Sequence, residues 1–88
     1  MIKYVDASAF TSKRELHDAM KKALGEENYI GNNLDALHDC LTSICEPTTL
    51  VINNWGSAVR NLGEYSRILW SVLDDSTNEN DGLKIILN

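Results

Sequence analysis

The chain of 88 residues has the length of one domain, and its 43% of hydrophobic and 24% of charged residues exclude a disordered chain. Its 13 acidic and 8 basic residues give a net charge of −5, which argues against binding to nucleic-acid phosphates and suits a basic partner better. The start, MIKYVDASAF, lacks the regions of a signal peptide, and no apolar run approaches the ~18 residues of a membrane span. We therefore expect a single cytoplasmic domain over residues 1–88.

The first half of the chain predicts a strand followed by two helices. Residues 2–7 (IKYVDA) are rich in β-branched and aromatic side chains, which is typical of a strand. The SKRE sequence from Ser12 is a capping box, and Gly25 ends the helix that it begins. After a loop with several turn residues, Asn33 caps a second helix, which is expected to end at residue 43 or 44.

The second half begins at Pro47, which breaks the chain. It predicts, in order, a strand at 49–53 (TLVIN), a short helix at 55–63, a long helix from about Tyr65, a polar stop at 76–82 (STNENDG) and a last strand at 83–88 (LKIILN). The continuous apolar run at 49–53 is expected of a strand that is paired on both edges.

The predicted order is β-α-α-β-α-α-β. Strands that are joined through helices run parallel, because the helical crossover returns the chain to the end of the sheet at which the previous strand began. The sequence therefore predicts an α/β fold, a small two-layer domain with a three-stranded parallel sheet and about four helices.

Two aspartates, Asp35 and Asp39, lie four residues apart in the predicted second helix. As like charges at this spacing they cost the helix roughly 0.2–0.5 kcal/mol. They lie opposite its apolar stripe, which consists of Leu34, Leu37, Leu41 and Ile44. An ordinary solvated face would carry such a pair. A binding surface would also carry it, extended by Tyr29 as an aromatic anchor, by accessible backbone at Gly31 and by Thr42 on the outward side.

The chain shows little that points to catalysis or to a metal. It has neither a glycine-rich phosphate loop nor a nucleophile elbow. His38 with Asp35 and Asp39 makes an incomplete ligand set, so we expect no metal and no cofactor. The two aspartates could form an acid–base pair in a small enzyme, but no cleft or nucleophile is evident, and we predict no catalytic residue.

The remaining titratable side chains are interpreted as structural. His17 lies off the apolar face of the first helix, which predicts a surface histidine. Cys40 and Cys45 are five residues apart and point in different directions, so we expect both to be reduced and partly buried.

Residues 29–42, YIGNNLDALHDCLT, resemble the barstar family, intracellular inhibitors of small microbial ribonucleases. The resemblance extends over nearly the whole chain, through SKRELHDAMKKAL, LVI and the final LKIILN. It implies a three-stranded parallel sheet with helices, and a second helix that plugs the nuclease active site together with its preceding loop.

The same resemblance implies a role for individual side chains. Asp39 would occupy the phosphate-binding position of the nuclease, Asp35 would pair with another basic group, and Tyr29 would pack on the catalytic histidine. Thr42 would lie at the edge of the contact. The predicted partner-binding set is Tyr29, Gly31, Asn33, Asp35, His38, Asp39, Thr42, Asp75 and Glu79.

The sequence departs from the family pattern at several positions. Ile30, His38 and Ile44 replace usual aromatic residues, Ser43 replaces an expected glycine, and residues 53–64 do not align cleanly. The predicted function is a cytoplasmic inhibitor or immunity protein, monomeric when free, that binds one ribonuclease in a 1:1 complex by mimicking substrate phosphate. The alternative is an immunity or antitoxin protein for a basic toxin of another class. Neither function requires direct contact with nucleic acid or a membrane.

Overall fold

The computed structural model describes residues 1–25, Tyr29 and residues 31–88. Its elements are β1 (Ile2–Asp6), α1 (Lys13–Leu24), α2 (Leu34–Ser43), β2 (Thr48–Asn53), α3 (Trp55–Leu62), α4 (Glu64–Glu79) and β3 (Leu83–Leu87). The strands form one parallel sheet in the order β1-β2-β3, so β2 is paired on both edges as its apolar run predicted. The predicted α/β fold is confirmed. In the described part of the chain, no helix is long and apolar enough to cross a membrane.

The two faces of the sheet differ in their exposure. Alternate side chains of a strand point to opposite faces. The buried side chains on one face include Val5, Leu50, Ile52 and Leu83. On the other face, Tyr4 and Ile86 are 65% and 45% exposed. The helices therefore cover one face of the sheet, which gives the two-layer arrangement and leaves the helix layer to carry a site.

Helix α1 begins and ends where its sequence signals predicted. The Ser12 hydroxyl accepts a hydrogen bond from the Glu15 backbone N–H at 3.2 Å. At the other end Gly25 has φ +98°, and its N–H donates to the Lys21 carbonyl at 2.8 Å. The left-handed φ favours glycine, so these local signals determine both ends of the helix.

His17 corrects the prediction of a surface histidine, because its side chain is completely buried. Its Nδ1 hydrogen bonds to the Tyr29 hydroxyl, and its Nε2 lies 3.0 Å from the Tyr65 hydroxyl. A buried polar ring needs partners for both nitrogens, and the two tyrosines supply them. They lie 12 and 48 residues further along the chain, which is why helical spacing alone could not reveal them.

Helix α4 continues through Glu79, so the prediction of a polar stop beginning at Ser76 is wrong. The Ser76 side chain is buried, and its hydroxyl donates to the Val72 carbonyl at 2.7 Å. The Thr77 hydroxyl donates in the same way to the Asp74 carbonyl at 2.7 Å. Both hydroxyl groups thus form hydrogen bonds with carbonyls of the helix itself. The helix continues for one further turn, which borders α2.

Candidate functional site

Helix α2 presents its two aspartates to solvent. The Asn33 side chain caps the helix by accepting the Ala36 N–H at 2.8 Å. Its inward face is fully buried at Leu37 and Leu41, whereas Asp35 and Asp39 are both exposed. Asp35 lies in the first turn, where the helix dipole favours an anion. The predicted arrangement of this helix is confirmed, and the carboxylates lie outside the core.

The loop before α2 is partly described. Residues 26–28 and 30, including the departure at Ile30, lie outside the described residues. Gly31 has φ +97° and is exposed, so a side chain at this position would be strained. The Lys21 ammonium donates to the Asn32 side-chain oxygen at 2.6 Å, which fastens the loop to α1.

Tyr29 is 1% exposed, so its ring is buried in the free chain. The Lys21 ammonium lies 5.6 Å from the centre of its ring. Burial raises the pKa of the Tyr29 hydroxyl well above its ordinary value, with smaller contributions from Tyr65 and Cys40. A contact between this ring and a partner would require the side chain to leave its site beside His17.

Helix α4 adds two carboxylates beside α2. The Glu79 carboxylate contacts His38 Nε2 directly, and Asp75 is exposed one turn earlier on α4. His38 Nδ1 lies 4.0 Å from the Asp39 carboxylate, and the Thr42 hydroxyl donates to the His38 carbonyl at 2.9 Å. We call this region the acidic surface; its residues are Asp35, His38, Asp39, Thr42, Asp75 and Glu79.

Asn80 joins α4 to α2 and was not identified from the sequence. Its side-chain amide donates to the carbonyls of Leu41 and Ile44, at 2.9 and 3.1 Å, where α2 ends. A signal was present in the spacing, since Leu69, Leu73, Ser76 and Asn80 follow one helical stripe. These hydrogen bonds thus hold the end of α4, which carries Glu79, against the end of α2.

Both cysteines are free thiols, as predicted. Cys40 is buried among the core residues, and burial raises the pKa of its thiol. Cys45 is exposed, which corrects the expectation that it is partly buried. Among the described residues, no three side chains of the His, Cys, Asp and Glu types are grouped so that they could hold a metal ion.

The acidic surface lies on the outward faces of two packed helices. A groove of about 470 Å³ lies elsewhere, between α3 and α4, and its lining includes Trp55, Val59 and Trp70. Exposed carboxylates on a helix face are suited to contact a cationic surface. Fold and site together define a small α/β domain with an acidic helical surface.

Comparison with known proteins identifies the family. The family described as "Barstar (barnase inhibitor)" matches residues 1–88. A protein of Bacillus subtilis (strain 168) named "Putative ribonuclease inhibitor YrdF" is 38% identical over 85 residues, which cover 94% of this chain and 93% of that protein. The chain therefore belongs to the barstar family, as the resemblance of residues 29–42 indicated.

Proposed function

We propose that this protein inhibits a small basic ribonuclease by placing the acidic surface over the active site. The observation that carries the proposal is the exposure of Asp35 and Asp39 on a capped helix, with Asp75 and Glu79 of α4 beside it. Membership of a family described by barnase inhibition supports a ribonuclease as the partner. The relative from B. subtilis carries the name of a ribonuclease inhibitor, which agrees with this function.

The electrostatic balance favours binding. The aspartate pair costs the free helix roughly 0.2–0.5 kcal/mol. Close charge pairs across an interface couple by about 1.5–7 kcal/mol, a range that was measured in the barnase–barstar complex of this same family. Asp39, whose side chain is 83% exposed, would take the position of a substrate phosphate, and Asp35 would pair with a second cation. Gly31, Asn33 and Thr42 would lie at the edge of the contact.

Inhibition by occlusion requires no chemistry of this chain. The protein would act as a 1:1 partner in the cytoplasm, monomeric when free, without turnover and without a metal or a cofactor. It would protect the cell that makes the nuclease, because the carboxylates occupy the groups that otherwise bind RNA phosphates.

The test is a titration of two enzymes with the purified protein: barnase, and a small basic ribonuclease from the organism that makes this protein. We expect RNA hydrolysis to fall linearly to zero at one equivalent of inhibitor for at least one of them. The Asp39→Asn variant is the matched control and should need a large excess. Full RNA hydrolysis with both enzymes, together with the absence of a complex in size-exclusion chromatography, would refute the proposal.

The residue at position 38 supports a second candidate class of partner. The resemblance to the family implies an aromatic residue at this position, whereas here a polar ring contacts Glu79. A basic toxin that is not a ribonuclease could bind the same carboxylates. Capture of such a toxin in the 1:1 complex, with full RNA hydrolysis in the titration above, would favour this alternative.

A further inference from the structure

His38 lies at the junction of the two helices that form the acidic surface. Its Nε2 contacts the Glu79 carboxylate, which lies 41 residues away in sequence and on the other helix. The side chain of His38 is 33% exposed and that of Glu79 is 57% exposed, so both remain accessible from outside. The contact therefore lies within the surface that the partner is proposed to cover.

Among the described residues, the charged side chains that approach the His38 ring are carboxylates. Asp39 of its own helix lies 4.0 Å from Nδ1, and Glu79 of α4 contacts Nε2. Asp35 lies one turn before Asp39 on α2, and Asp75 lies one turn before Glu79 on α4. A neutral imidazole can donate one N–H, and the carboxylate at Nε2 favours the form that carries its proton on that nitrogen.

We propose that His38 is a positioning residue, which holds the Glu79 carboxylate against α2 so that both helices present one array of anions to a cationic partner. The inference rests on the proposed function and adds to it how the outer carboxylate is arranged. A free glutamate on a helix end samples many rotamers, and fixing it on binding costs conformational entropy. The hydrogen bond to His38 restricts the Glu79 rotamers before the partner binds.

If the contact between His38 and Glu79 only stabilised the fold, its loss would lower the stability of the free protein. Exposed ion pairs and hydrogen bonds contribute little to stability, and the same junction is already held by the two hydrogen bonds of Asn80. Loss of the His38 side chain should therefore leave the fold intact and change the binding.

The experiment compares three variants with the wild type in stopped-flow and calorimetric binding to the ribonuclease that the protein inhibits. His38→Gln keeps an N–H donor at the same reach. His38→Leu removes the donor, and Glu79→Gln removes the charge that it positions. We expect His38→Gln to bind like the wild type and His38→Leu to lose about two- to tenfold in affinity. The double variant His38→Leu with Glu79→Gln should lose no more than Glu79→Gln alone.

Rescue by the conservative variant separates positioning from a structural role. His38→Gln should recover the affinity that His38→Leu loses, because only the glutamine keeps an N–H donor for the Glu79 carboxylate. Equal affinities of wild type and His38→Leu would overturn the positioning role while leaving the inhibitor function intact. If the wild type binds no ribonuclease, both proposals fail.

A measurement without a partner tests the contact itself. Nitrogen-15 NMR of the imidazole distinguishes the form with the proton on Nε2 from the form with it on Nδ1. We expect the Nε2–H form in the wild type and a change of the His38 signals in Glu79→Gln. Signals that do not respond to Glu79→Gln would show that the pair does not form in solution, and would overturn the proposal independently of any nuclease.

Discussion

At the scale of single residues, His17 ties the stability of the fold to pH. Burial lowers its pKa, with a smaller contribution from Lys21. In the unfolded chain a histidine takes up its proton near about pH 6.5, whereas the native ring takes it up at a lower pH. Between these values the unfolded state binds more protons, so the free energy of unfolding falls as the pH decreases. Above that window, His17 does not make the free energy of unfolding depend on pH.

Urea unfolding at a series of pH values from about 7.5 to 5 measures this effect. The matched control is His17→Gln, which retains hydrogen-bonding capacity toward the tyrosines but cannot titrate. In the wild type, the free energy of unfolding should begin to fall as the pH decreases below about 6.5. The control should lack this part of the decrease, whatever its absolute stability. A wild-type and a control curve of identical slope would show that His17 titrates alike in both states.

Asp39 should matter for binding and not for folding. Its side chain is 83% exposed, and Asp39→Ala removes a like-charge neighbour of Asp35, so thermal denaturation should show an unchanged or slightly raised Tm. Binding should weaken by about 2–5 kcal/mol or more, mainly through faster dissociation, because the nuclease is left with buried unpaired cations. Asp35→Ala should cost less. An unfolded Asp39→Ala variant would mean that the pair is structural, and full inhibition by a folded one would place the contact elsewhere.

Leu37 should show the opposite behaviour on the same helix. Its side chain is completely buried, so Leu37→Ala leaves a cavity and should lower the free energy of unfolding by roughly 2–5 kcal/mol. Chemical denaturation measures that loss. At a temperature where the variant is folded, inhibition by one equivalent should persist. Weak inhibition by a fully folded Leu37→Ala would show that packing inside α2 also shapes the contact.

At the scale of elements, the end of α4 is held by one amide. Asn80→Ala removes the donor for the carbonyls of Leu41 and Ile44, and the loss should cost about 1–3 kcal/mol of unfolding free energy. The matched control is Asn78→Ala, an exposed position two residues earlier, which should be nearly neutral. Equal effects of the two substitutions would show that the junction does not depend on the Asn80 amide.

The elements also show what a sequence can and cannot reveal. Helices α1 and α2 were predictable because Ser12 and Asn33 cap them within three residues, and the apolar spacing follows directly. The burial of His17 depends on partners 12 and 48 residues away, which no local pattern contains. The stripe of α4 that ends at Asn80 is visible in the spacing, but the carbonyls of α2 that Asn80 contacts are not. Asp35 and Asp39 were predictable as one face because they lie on one helix. The contact of His38 with Glu79 joins two helices and was not predictable.

At the scale of the whole molecule, charge should govern how fast the partner is found. The chain carries a net charge of −5, and four of its carboxylates lie on the acidic surface. Opposite potentials raise association rates to about 10⁸–10⁹ M⁻¹s⁻¹ at low salt, compared with about 10⁵–10⁶ for neutral surfaces. Added salt shortens the Debye length to about 8 Å near physiological ionic strength, which weakens this long-range attraction.

Stopped-flow association at increasing salt tests this steering with the inhibited ribonuclease. We expect the association rate constant to fall steeply between low and physiological salt, while dissociation changes less, because the contacts in the formed complex are screened far less than the approach. Glu79→Gln should flatten the salt dependence more than Glu64→Gln, which removes the same charge about 22 Å away along α4. An association rate that ignores salt, or equal effects of the two glutamate variants, would mean that the partner docks away from the acidic surface.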